Sequence, residues 1–157
     1  MNKISILIIL IIGIAGCKKD GKKPTVDYNS LIIGRWANTK NIDSVIQSGQ
    51  PTLVDSISIP LAQAQVYTFN SDKTGVRDDG SSSIHILHFN YSVSATAFNF
   101  FNIQLYQPDG TPLNVSQTPY TNEVVKFTSN QFVFRFVNTY GSPVKTVISS
   151  AYYIKIN

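Results

Sequence analysis

Short runs in which apolar and polar residues alternate, each cut off by turn residues, constrain this chain more than any other feature. Alternation sends successive side chains to opposite faces of an extended strand, so each run reads as a strand with one face available to a core. Val66-Tyr67-Thr68-Phe69 is such a run, followed by the turn residues Asn70-Ser71-Asp72-Lys73-Thr74-Gly75 and a second run over residues 75–78. Residues 84–93 lead to residues 98–106, which Pro108-Asp109-Gly110 ends, because proline presets φ and glycine accepts positive φ. Residues 123–127 and 132–137 flank Thr128-Ser129-Asn130-Gln131 as a tight hairpin, and residues 144–156 form the last run. With a first strand over residues 35–46 the tally is eight. The expected fold is therefore all-β: an eight-stranded antiparallel up-and-down barrel, a meander closed on itself so that no edge is left open.

Composition agrees, since eight Tyr and nine Phe accompany abundant Thr, Val and Ile, residue types that favour strands. A single short helical turn is expected, with Asp27 as N-cap, Tyr28, Leu31 and Ile32 on one face and Gly34 as the stop. A two-sheet sandwich of immunoglobulin type is the alternative fold. It would carry its tryptophan on the third strand, whereas Trp36 stands at the start of the first. The longest connection, residues 48–65, is broken by Gly49, Pro51 and Pro60. It reads either as a lid carrying Leu53, Val54, Ile57, Ile59 and Leu61, or as holding an extra strand over residues 55–59.

Ahead of this domain lies an apolar run over residues 4–16, preceded by Lys3 and ending at Cys17. A helix of that length covers about 20 Å, short of the roughly 30 Å of a hydrocarbon core, so a signal peptide is expected rather than a spanning anchor. The residues Ile14-Ala15-Gly16-Cys17 resemble a bacterial lipobox. That resemblance implies cleavage after residue 16, acylation of Cys17 with chains such as palmitate, and a lasting lipid tether. Residues 1–16 are thus expected to form the signal peptide, 17–25 a lipidated tether and 26–157 one barrel domain. Cys17 is the only cysteine, so no intrachain disulfide is available. Of thirteen basic residues, five lie before Pro24; from there on eight basic and eight acidic residues balance. A neutral domain gives nucleic-acid binding no electrostatic support. The implied address is the cell envelope, with the outer membrane expected because Lys18 rather than Asp follows the cysteine.

Gly34-Arg35-Trp36, following a helical turn and leading into a meander, resembles the Gly-x-Trp signature of lipocalins. Residues 67–75 resemble the second-strand hairpin of the lipocalin-like lipoproteins common in Bacteroidota. The resemblance implies a structural role for Gly34 and Trp36, with the indole plugging the closed end and a basic residue from a late strand lying across it. Arg135 and Lys155 both fit that role. Lipocalin features missing here are disulfides and a helix after the last hairpin.

His85 and His88 face opposite sides of a strand, so no metal site is expected from them. Asn70 to Gly75 starts like a calcium loop, but the acidic ligand due at its twelfth position would be Ser81. Asp78-Asp79-Gly80 reads as a flexible acidic turn. With no converging acid, base and nucleophile, the chain is read as not an enzyme and without a cofactor. Asp43-Ser44-Val45 and Asp55-Ser56-Ile57 resemble the O-glycosylation motif of Bacteroidota, making Ser44 and Ser56 candidates, Ser56 favoured as a loop residue. Phe132, Phe134 and Phe136 share one strand face, as do Phe101, Ile103 and Leu105 on another. Together with Tyr67, Phe69, Phe89 and Tyr91, the three phenylalanines of the first face are candidates to line a site for a small apolar or amphipathic ligand. The alternative is a barrel filled by its own side chains, serving as a structural or protein-interaction module.

Overall fold

The computed structural model describes residues 25–79, 86–141 and 144–157. The apolar leader, Cys17 and His85 lie outside the described residues. A short helix, α1 (Tyr28–Ile32), precedes ten strands: β1 (Gly34–Gln47), β2 (Gln50–Ser58), β3 (Val66–Phe69), β4 (Thr74–Asp78), β5 (Ile86–Val93), β6 (Ala97–Tyr106), β7 (Pro112–Ser116), β8 (Tyr120–Phe127), β9 (Gln131–Tyr140) and β10 (Lys145–Ile156). Eight of them, β1, β3, β4, β5, β6, β8, β9 and β10, form a closed antiparallel barrel. Closure is made by β10 lying against β1, from Arg35 opposite Ile156 to Gln47 opposite Lys145. These eight are the strands expected from the alternating runs; β2 and β7 are additions outside the ring.

One half of the barrel is packed with rings. Trp36, Phe69, Tyr91, Phe98, Phe100 and Phe132 are all fully buried. Their ring centroids lie close: 4.9 Å for Trp36 and Phe132, 5.0 Å for Phe69 and Tyr91, and 4.6 Å for Phe132 and Tyr153. Offset and edge-on aromatic pairs at such distances each contribute about 0.5–1.5 kcal/mol beyond the area they bury. Gly75 makes room for this packing, because a Cβ there would come within 2.4 Å of the Phe89 ring and 2.9 Å of the Thr68 carbonyl oxygen.

Helix α1 closes the same end. The Asp27 side chain accepts from the Asn29 backbone N–H at 3.0 Å, as an N-cap should, and Ile32 is fully buried. The Trp36 Nε1–H donates to the Ile32 carbonyl at 2.6 Å, pairing one of the oxygens a helix end leaves free. Between the two, Gly34 adopts φ +121°, and a Cβ on it would stand 3.0 Å from the Lys155 side chain.

The other half is built differently. Near Asn38, where the register with β10 shifts, β1 exchanges its partner β3 for β2. Beyond that point β2, the far half of β1, the near half of β10 and the last residues of β9 form a four-stranded sheet that projects past the barrel. Every residue of β2 is exposed. Residues 48–65 are therefore a hairpin strand and a 3-10 turn (Leu61–Gln63), with Leu53, Val54, Ile57 and Leu61 in solvent. The extra-strand alternative holds, over a longer span than residues 55–59.

One face assignment is corrected. Phe101 is exposed while Phe98, Phe100 and Ile103 are buried. Asn102, at φ +51°, marks a bulge where the register with β5 shifts, so the inward parity of β6 changes there.

Candidate functional site

A cavity of about 660 Å³ opens where the barrel wall parts between β8 and β9. These strands pair only from Glu123 opposite Arg135 to Phe127 opposite Phe132. Before Glu123, β8 pairs with β6, and after Arg135, β9 pairs with β10, which leaves a slot flanked by Tyr120, Thr121 and Asn122 on one side and Phe136, Val137 and Asn138 on the other. The Glu123 carboxylate and the Arg135 guanidinium pair across the base of the slot, Nε to Oε2 at 2.8 Å.

Inside, the hairpin register sets Arg77 opposite Tyr67. Since Tyr67 faces inward, Arg77 does too. Its Nη2 lies 2.8 Å from the Asp79 carboxylate, whose other oxygen accepts from the Gln65 amide at 2.6 Å. The Tyr153 hydroxyl donates to the Gln65 side-chain oxygen at 2.8 Å. Tyr67 and Tyr120 adjoin the guanidinium and each other. Among buried side-chain polar atoms of the described residues, the Arg77 Nε is the one without a hydrogen-bond partner.

Burial dominates the electrostatics here. It pushes the Tyr67 phenol well above its ordinary value, with Tyr153 and Tyr120 adding to the effect. Tyr153 is raised by burial as well, and Tyr120 likewise, with the latter partly offset by its neighbours Tyr67 and Arg77. Burial works against the Arg77 charge, yet the charge and hydrogen bond of the Asp79 carboxylate, with the adjoining Tyr67 hydroxyl, outweigh it, and the guanidinium is held charged. The result is a neutral ion pair ringed by protonated tyrosines, a set of groups that can hydrogen-bond a polar head while Phe134 and Phe136 offer an apolar wall.

Three of the seven aromatic candidates, Tyr67, Phe134 and Phe136, line this cavity. The other four, Phe69, Phe89, Tyr91 and Phe132, are packed in the core. The Tyr91 hydroxyl donates to the Asn70 carbonyl at 2.7 Å, and burial pushes its pKa up to about 12. Phe136 sits at the rim, 39% exposed. No residue of 48–64 lines the cavity, so the lid reading gives way to the projecting hairpin.

Gly34 and Trp36 stand at the opposite, closed end, and Lys155 settles the choice left open for the cation. Its Nζ lies 5.2 Å from the Trp36 ring, while Arg135 is engaged with Glu123 at the slot. Asp79, expected in a flexible acidic turn, is 13% exposed and part of the buried cluster. The turn at residues 70–75 is stapled by its own side chains, with the Asp72 carboxylate accepting from the Thr74 N–H at 3.0 Å. His88 is exposed against Tyr106, with centroids 4.5 Å apart. Among the described residues no cluster of three or more His, Cys, Asp or Glu could hold a metal ion. Ser44 is half-buried in β1 between β2 and β10, whereas Ser56 is exposed, on a strand rather than in a loop.

Arg77, Gln65, Tyr120 and Tyr153 are absent from the sequence-based candidates. One signal pointed to Arg77: in a hairpin with Tyr67 and Phe69 inward, the cross-strand partners Arg77 and Gly75 must share that face. Comparison with known proteins gives no match: no family model, no curated protein and no solved structure.

Proposed function

We propose that this chain is a lipid-anchored, lipocalin-like barrel of the cell envelope that holds a small amphipathic molecule in the slot between β8 and β9. The observation that carries this reading is the cavity of about 660 Å³, within the range of small-molecule sites, with rings on one side and convergent hydrogen-bonding groups on the other. The anchoring part rests on the run over residues 4–16 and on Cys17. Holding, rather than converting, a ligand suits a site whose only charges are already paired with each other.

Titration with the neutral fluorophore N-phenyl-naphthylamine tests the reading. Saturable enhancement with one site per chain is expected, and Asn122→Trp, which fills the slot from the inward face of β8 opposite Phe98, should remove it. No saturable binding would defeat the proposal. A structural or interaction module is the second reading, favoured by one observation: β2 offers an open edge nine residues long, all exposed.

A further inference from the structure

We propose that the molecule held in the slot carries an acceptor-only head group, a carboxylate in the simplest case, which is received by Arg77 and Tyr120; this rests on the slot being a ligand site. The guanidinium has five N–H donors in a fixed fork. One nitrogen, Nη2, is engaged by Asp79, and Nε has no partner at all. The carboxylate and amide acceptors are already engaged: one Asp79 oxygen accepts from Arg77 and the other from Gln65, and the Gln65 oxygen accepts from Tyr153. The cluster therefore has donors to spare and no free carboxylate.

A buried donor without an acceptor is costly, and a guanidinium with open positions matches the two oxygens of a carboxylate. Asp79 engages Nη2 and leaves Nε without a partner. Its second oxygen is held by Gln65, which is fixed in turn because its backbone carbonyl accepts from the Asn38 N–H at 2.9 Å. Tyr120 lines the cavity from β8 and adjoins the guanidinium. An oxygen arriving through the slot can reach this hydroxyl and the guanidinium together. A donor-only head, such as an ammonium, would face Arg77 as a like charge, with both Asp79 oxygens already engaged. The apolar remainder of the ligand lies along Phe134 and Phe136 toward the opening.

The test is displacement of N-phenyl-naphthylamine by three molecules of equal chain length: dodecanoic acid, dodecanol and dodecylamine, at a pH where the acid is ionised. The acid is expected to displace the probe at concentrations at least about tenfold below the alcohol, as a charge-assisted hydrogen bond of ordinary strength gives. The amine should be the weakest. Arg77→Gln should erase the advantage of acid over alcohol, and Tyr120→Phe, which removes one hydroxyl and no charge, should reduce it in part. The second variant keeps the assignment testable should the first fail to fold. Equal displacement by acid and alcohol, or stronger displacement by the amine, overturns the head-group assignment while the slot remains a site. A probe that never binds overturns the slot reading and this assignment with it.

Discussion

The two ends of the barrel differ in what fills them. Around Trp36 the interior is ring against ring, the indole capped by α1 on one side and by Lys155 on the other. Around Arg77 the same eight strands enclose an ion pair, three tyrosines and open space. Strand number and closure are common to both, so architecture alone does not decide whether a barrel is filled. The difference comes from inward side chains: Phe69, Phe98 and Phe132 reach across, whereas at the other end the wall parts because β8 and β9 stop pairing beyond Glu123 and Arg135. The closed end holds the fold and leaves the open end free to carry chemistry.

The largest contrast should appear on truncating one aromatic at each end. Trp36→Ala is expected to lower unfolding stability in urea by about 3–5 kcal/mol, while Phe136→Ala, half in solvent already, should cost under about 1 kcal/mol. Equal losses would break the distinction. Gly75→Ala should cost about 1–3 kcal/mol by overpacking against Phe89 and the Thr68 carbonyl; a neutral result would show that the packed end can yield. Tyr153→Phe removes a hydrogen bond to Gln65 worth about 1 kcal/mol.

The same tyrosines set a pH dependence. Above the ordinary phenol pKa of about 10, the unfolded chain releases protons that the buried Tyr67 and Tyr153 of the folded chain retain. The folded state then binds more protons, so stability is full below that pH and falls as pH rises above it. Tyr153→Phe should flatten this fall in alkaline unfolding curves. The smallest effect belongs to the projecting sheet: Val54→Lys on exposed β2 should stay within about 0.5 kcal/mol, and β2 amides should exchange with solvent far faster than those at the β10 end nearest Trp36.

The eight barrel strands were legible because each buries one face, and burial imposes alternation. Strand β2 was only half visible for the converse reason. Gln50-Pro51-Thr52-Leu53-Val54-Asp55 faces no core, so nothing selects a period, and Pro51 argues against a strand that only an open edge tolerates. Strand β7 begins on Pro112 and meets β6 at only a few positions, which hides it in the same way. The bulge at Asn102 defeats any fixed parity, so Phe101 was placed with Ile103. The site was less visible still. Gln65 and Tyr153 are 88 positions apart and meet only when the ring closes. Asp79, next to Asp78 and Gly80, looks like turn chemistry until Arg77 is seen to face inward. Three of the seven aromatic candidates line the cavity and four are core, since strand alternation identifies which rings point inward without telling a packed level of the barrel from an empty one.

The seam that closes the ring joins its first strand to its last, from Arg35 opposite Ile156 to Gln47 opposite Lys145. Those partners are as remote in sequence as the domain permits, so the loop that must close before the seam forms is nearly the entire domain. A topology so dominated by distant pairings folds slowly, in the range of milliseconds to seconds for barrels and sandwiches. The ring cannot shut until residue 156 is available, and a nascent or truncated chain lacking β10 presents one whole flank of β1 unpaired. Such a chain stays open, and therefore vulnerable to aggregation, until its final strand arrives.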